Sequence, residues 1–116
     1  HLVSTIQGKL SPVYHSLDAL MSTYPAGAIT GLSKRTAIEL IDQIETAHRN
    51  IFGGAIGYIG FNGNIDFAIT IRSMLLKDGI AYIQSGAGIV EDSEVEREFE
   101  ETIEKTNSLT ALSNVE

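Results

Sequence analysis

Apolar positions switch between two periods along this chain, and the switches mark its elements. Residues 2–10 alternate weakly, with Val3, Thr5 and Ile6 in a β-like pattern that Pro12 ends. Leu17, Leu20 and Met21 then recur at helical spacing. The helix they predict stops before Tyr24-Pro25, because the residue ahead of a proline avoids the α region. Residues 26–33 are small, include Gly27 and Gly31, and read as a loop. A clearer helix is predicted over 34–48, where Ile38, Ile41 and Ile44 form a stripe that Ala37 and Leu40 widen. Gly53-Gly54 opens a strand running to 61, and Asn62-Gly63-Asn64 is a turn cluster. The span 67–77 reads as one long β-branched strand. Asp78-Gly79 then signals a type I′ hairpin, with 80–84 as the return strand. Gly86-Ala87-Gly88 cannot comfortably continue it. A last helix is predicted over 93–112, with Ser93 as N-cap and Glu96 three residues on, as in a capping box. Helix, helix, antiparallel meander, helix is the order of an α+β fold with helices on one face of a sheet. An exposed edge strand is expected.

Composition narrows the class. The 116 residues suit one domain or a piece of one, and 43% hydrophobic with 20% charged residues is ordinary for a globular chain. No apolar run is long enough to span a bilayer, and no signal peptide opens the chain. Cysteine is absent, which excludes disulfides and thiolate metal sites and fits a cytoplasmic protein. The opening His1-Leu2-Val3-Ser4 is already strand-like and has no Met. It predicts a fragment of a longer protein, or a tag residue at His1. The net charge of -7 is uneven: across 91–104 almost every other residue is acidic, with Arg97 the lone base. Without a clustered basic patch, nucleic-acid binding is not expected.

Two groups of residues carry candidate chemistry. If Asp78-Gly79 is a two-residue turn, Lys77 faces Ile80, and the same register sets Arg72 opposite Ser85 beside Gly86-Ala87-Gly88. A guanidinium next to bare backbone suits a carboxylate, since arginine offers a bidentate fork and glycine lets N–H groups approach an anion. The plainer reading is an edge arginine and a glycine bulge. The second group is Glu98, Glu101 and Lys105, which spacings of three and four place on one helix face. Two carboxylates one turn apart suit a hard cation such as Mg2+. The plainer reading is a Glu101–Lys105 surface pair. Gly31 would allow a ligand close to the start of the Ile38 helix, but no phosphate-binding or dinucleotide fingerprint is present. His1 and His15 have no metal-ligand spacing, and no nucleophile triad is visible.

Four stretches carry a resemblance: HLVSTIQGKL, PAGAITGLSKRTAIELIDQIE, FGGAIGYIGFNGNIDFAITIRS and YIQSGAGIVEDSEVEREFEETIEK. In this order and spacing they resemble the chorismate-binding enzymes, and they cover almost the whole chain. The resemblance implies part of an α/β sandwich of two antiparallel sheets with helices outside, to which this chain contributes an incomplete domain. It implies a Mg2+-dependent lyase that acts on chorismate. By the same resemblance, His1 is the catalytic acid/base candidate. Arg72 holds a substrate carboxylate, Gly86, Ala87 and Gly88 offer backbone amides to it, and Lys105 lies near the same anion. Glu98 and Glu101 are metal ligands. Phe52 stands at a substrate-contacting position where tyrosine is common, and Ala28 where a hydroxyl residue is common. Gly31-Leu32-Ser33-Lys34 replaces the usual Gly-Ala-Pro-Lys, so the helix entry is less fixed.

Tyr24-Pro25-Ala26-Gly27 and the Gly53-Gly54-Ala55-Ile56-Gly57-Tyr58 stretch are most similar to the branch that makes anthranilate and pyruvate, in tryptophan biosynthesis. Its ammonia comes from a glutamine amidotransferase subunit. The branch that makes aminodeoxychorismate is close behind, followed by those that make isochorismate or salicylate. Two further readings come from other classes. One is a non-catalytic folding unit, for which self-association into a homo-oligomer is expected. The other is a plain Mg2+ or Ca2+ module on the acidic helix.

Overall fold

The computed structural model describes residues 3–111. Four helices and four strands follow one another: α1 Ser16–Thr23, α2 Gly27–Thr30, α3 Lys34–Ile44, β1 Ala55–Ile59, β2 Ile65–Ile69, β3 Met74–Lys77, β4 Ile80–Ile83 and α4 Val95–Thr110. The class is α+β. Residues 3–11 form no strand, contrary to the weak alternation there. A strand needs a neighbour to satisfy its backbone, and among the described residues none pairs with this segment.

The amino-terminal helices end where local chemistry ends them. The Asp18 carboxylate accepts the His15 N–H at 2.7 Å and secures the first turn of α1. Tyr24-Pro25 stops it, and Ser16 Oγ donates to the Gly63 carbonyl at 2.9 Å, tying α1 to the β1–β2 turn. The small-residue loop contains one helical turn, α2, closed at Gly31 with φ 97°. A Cβ at Gly31 would stand 3.2 Å from Ala37 Cβ, so the chain turns tightly onto α3 there. Helix α3 stops at Ile44, four residues short of the predicted end. Glu45 is extended, and Arg49 folds back on the Glu45 carboxylate and the Ile29 carbonyl. Asn50 follows at φ 48°. Tertiary bonds here override the helix propensity of 45–48.

The strands form two separate two-stranded antiparallel ladders, β1–β2 and β3–β4. The first runs from Ala55↔Ile69 to Ile59↔Ile65, with Gly57 facing Phe67. A Cβ at Gly57 would come within 2.7 Å of Phe67 Cγ, so glycine is required for the strands to approach. Two backbone bonds extend the ladder beyond β1: Gly53 N–H to the Thr70 carbonyl and Thr70 N–H to the Gly54 carbonyl, both 2.8 Å. The second ladder has the anticipated Lys77↔Ile80 register, with Asp78 at φ 54° and Gly79 at φ 76°.

The long strand expected over 67–77 is in fact two. It breaks at 70–73, where Ile71 N–H turns back to the Ile69 carbonyl at 2.9 Å and Arg72 takes φ 52°. That break separates the ladders. Helix α4 also departs from its expected start. Its N-cap is Glu94, and Ser93 Oγ instead accepts the Val90 N–H at 3.0 Å. With its hydroxyl so used, Ser93 does not cap, and the Ser93–Glu96 box is absent.

The interior is thin. Among the described residues Leu109 is the buried hydrophobic residue and Thr70 the buried polar one, while large apolar side chains on α1, α3, β1, β3, β4 and α4 are exposed. Two-stranded ladders are marginal alone, so this segment gains little stability from its own contacts. No helix among the described residues is long and apolar enough to cross a membrane.

Candidate functional site

Three segments meet around Gly86: the turn at 49–52, the loop that follows β4, and the side of α4 that carries Thr102, Lys105 and Thr106. Ser85 anchors the loop. Its hydroxyl donates to the Thr102 carbonyl at 2.8 Å and lies 3.0 Å from Thr106 Oγ1, whose own bond to the Thr102 carbonyl is 2.9 Å. One residue on, the Gly86 carbonyl accepts from Lys105 Nζ at 2.9 Å. The same ammonium pairs with Glu101 Oε1. Lys105 therefore stitches the glycine loop to the acidic face of α4.

Glu101 has an electrostatic setting of its own. Its hydrogen bond from Lys105, then the charge of Lys105, hold the carboxyl below its ordinary range. Weak desolvation opposes them, and Arg97 and Arg72 lower it further. Arg72 itself is not where the strand register would have set it. The β3–β4 ladder ends at Met74↔Ile83, so Arg72 lies in the break before β3 and has no cross-strand partner at Ser85. Its positive φ turns the backbone out of strand geometry.

The loop itself is open. Gly88 has nothing within 4 Å of the place a Cβ would occupy, and neither Gly86 nor Gly88 has a left-handed φ. Within the described residues, neither space nor backbone angle demands glycine at 88. The open space leaves room for close approach by a ligand. Ala87 and Glu98 share a shallow, mainly apolar hollow with Ile89, Ser93, Val95, Phe99 and Thr102. At Gly86 a Cβ would meet the Phe52 ring at 3.9 Å, which places Phe52 against the loop.

The sequence-derived site residues therefore divide. Glu101, Lys105, Gly86 and Phe52 are joined by direct contacts, Ala87 and Glu98 share one hollow, and Arg72 lies in the break before β3. His1 lies outside the described residues. Glu98 and Glu101 offer two carboxylates, a set that fits Mg2+ when water and substrate oxygens complete the shell. Among the described residues no group of three or more His, Asp or Glu could hold a metal, so these two would not form a closed cage. Sequence reasoning missed Ser85, Thr106 and Arg49. For Arg49 a signal existed, since it follows Glu45 by four.

Comparison with known proteins places the chain among its relatives. Residues 1–111 match the family model described as chorismate binding enzyme. Anthranilate synthase component 1 of Acetivibrio thermocellus is 52% identical over 109 residues, covering 94% of this chain and 22% of that protein. The Bacillus subtilis (strain 168) protein of the same name is 50% identical over 109 residues, covering 94% and 21%. That of Streptomyces coelicolor is 44% identical over 117 residues, covering 100% and 23%. The chain thus spans between a fifth and a quarter of the length of these relatives.

Proposed function

This chain belongs to the chorismate-binding enzyme family, and from that premise we propose that it is part of an anthranilate synthase large subunit. The complete enzyme would convert chorismate and ammonia to anthranilate, pyruvate and water. What carries the reading is the near 50% identity to proteins named anthranilate synthase component 1, over 94% of this chain. The knot that Lys105 ties between Gly86 and Glu101 supports it.

In this reading the chain's residues bind and orient the substrate. The 86–88 amides and the Arg72 guanidinium hold one carboxylate of chorismate, in the way that backbone N–H groups and a charged fork hold anions. Lys105 keeps the loop at a fixed distance from Glu101 and adds positive charge beside the anion. Phe52 supplies an apolar wall. Holding the dianion in one pose lowers the entropic part of the barrier. Glu98 and Glu101 would carry Mg2+, which when bound neutralises carboxylate charge and stabilises charge at the leaving oxygen. Lys105 occupies one oxygen of Glu101 and leaves the other for the metal. His1 is proposed to move a proton. A glutamine amidotransferase subunit would deliver ammonia, and the cytoplasm is the proposed compartment.

The test is product analysis of the full-length chain with chorismate, Mg2+ and ammonium. Anthranilate and pyruvate in equal amounts are expected, with Glu101→Gln reducing turnover by roughly 100-fold or more, as for loss of an electrostatic stabiliser. Isochorismate or aminodeoxychorismate as the product would move the chain to another branch. Near-normal turnover by Glu101→Gln would remove the metal role. The 116 residues by themselves are expected to be inactive, because so little of this segment is buried.

A further inference from the structure

The Arg49 guanidinium is committed on several sides. Its Nε donates to Glu45 Oε2 at 2.9 Å and its Nη2 to Glu45 Oε1 at 2.5 Å, a bidentate fork. Its Nη1 donates to the Ile29 carbonyl at 3.1 Å. The cation also sits over the Phe52 ring, 5.9 Å from the centroid. The Phe52 N–H closes the turn on the Arg49 carbonyl at 2.8 Å. The Cε1 and Cζ atoms of the same ring stand 3.9 Å from the Cβ position of Gly86, whose carbonyl Lys105 holds. A continuous path of contacts thus runs from Glu45 and Ile29 through Arg49 and Phe52 to the glycine loop.

A comparison within the molecule separates this pair from ordinary surface charge. Arg35 and Glu39 are also spaced i, i+4, but share one bond of 3.3 Å with side chains 92% and 60% exposed. Arg49 and Glu45 are 25% and 36% exposed. Exposed pairs of the first kind contribute almost nothing, whereas a partly shielded bidentate fork whose cation also lies over a ring fixes geometry.

We propose that Arg49 is a positioning residue for the substrate-anion loop: by fixing the Phe52 ring it sets where Gly86, Ala87 and Gly88 present their amides. The inference rests on the chorismate reading above. Arg49 does not touch the substrate; its effect passes through Phe52. Lysine keeps the charge but cannot make the fork or stack as a plane, so Arg49→Lys isolates geometry from charge.

The experiment uses the full-length chain and measures kcat and KM for chorismate in the unsubstituted protein, Arg49→Lys, Phe52→Leu and the double variant. The expected result for Arg49→Lys is a KM raised about tenfold, the equivalent of 1.4 kcal/mol of lost binding, with kcat changed by less than about twofold. The double variant should be no worse than the poorer single one, because both act along one path. An unchanged KM, or effects that multiply in the double variant, overturns the proposal while leaving the chorismate reading intact. If Arg49→Lys does not fold, Glu45→Gln takes its place, with a smaller rise in KM expected and an unchanged KM overturning the proposal. If the unsubstituted chain neither binds nor converts chorismate, the functional reading fails first and this inference falls with it.

Discussion

Replacing Gly88 by alanine separates a glycine kept for folding from one kept for a ligand. A Cβ built at Gly88 meets no atom within 4 Å, and the backbone there is not left-handed. The folded chain should therefore accept the methyl without strain. Removing glycine also restricts the unfolded chain, which favours folding by about 0.4–1 kcal/mol at compatible sites. The Tm should thus hold or rise slightly. Binding should move the opposite way. If an anion lies flush on the Gly88 amide, a methyl beside it displaces the anion and weakens one charge-assisted hydrogen bond, a loss of about 1.5–3 kcal/mol. At 1.4 kcal/mol per tenfold, the Kd for chorismate should rise about 10- to 100-fold. Gly53→Ala is the control, because a Cβ there would come within 2.6 Å of Ile29 Cγ2 at φ 76°. It should lower the Tm sharply by strain of about 1–3 kcal/mol or more. The assay pairs calorimetric titration of chorismate with thermal melts, on the full-length chain. Unchanged affinity in Gly88→Ala would refute the reasoning, and so would a large fall in Tm, which would mean that protein rather than ligand fills the space above Gly88.

Two further predictions concern stability. Hydrogen bonding from Arg49 holds the Glu45 carboxyl below its ordinary value of 4.5, with burial opposing and the arginine charge adding. A depressed carboxylate pKa contributes stability above 4.5 that disappears as pH falls through the lower folded value. Glu45→Gln should therefore lower the Tm at pH 7, by an equivalent of no more than about 1 kcal/mol for so accessible a pair. The difference from the unsubstituted chain should narrow as pH falls below 4.5, and a gap that does not shrink on acidification would contradict the assignment. Asn50 sits at φ 48°, where glycine carries no Cβ penalty. Asn50→Gly should leave the Tm within about 0.5 kcal/mol of the original in equilibrium melts, whereas Asn50→Val should lower it clearly.

How far the sequence could be read depended on how local each signal was. Asp78-Gly79 needs only itself and its flanking strands to form a turn, and the register followed as expected. Pro25 ended α1 by sterics alone. The break at 70–73 could not be seen in the same way. Thr70 and Ile71 favour strands, and no glycine or asparagine marks the positive φ at Arg72. The first ladder's pairing runs on to Gly53 and Gly54 at Thr70, and the chain turns away directly after it, where Ile71 N–H bonds back to the Ile69 carbonyl. The capping box at Ser93 failed for a related reason, since another donor, Val90 N–H, claimed its hydroxyl. In the site, Glu101–Lys105 was legible because both residues lie on one helix. Lys105 reaching the Gly86 carbonyl, and Phe52 lying against Gly86, join residues far apart in sequence, and no periodicity reports them.

The paired ladders also bear on the chain's behaviour before its interior is covered. Each strand has one neighbour, and β1 and β4, reading AIGYI and IAYI, carry no charge and keep Ile56, Tyr58, Ile80 and Tyr82 exposed. Short, neutral, β-favouring segments with a free edge are the kind that add to other edges to seed fibrils. Lys77 and Asp78 at the tip of one hairpin, and Asp66 within the other, are the charges placed to interrupt such stacking. Removing one of these charges exposes the liability, so Asp66→Val should increase aggregation of the chain during refolding.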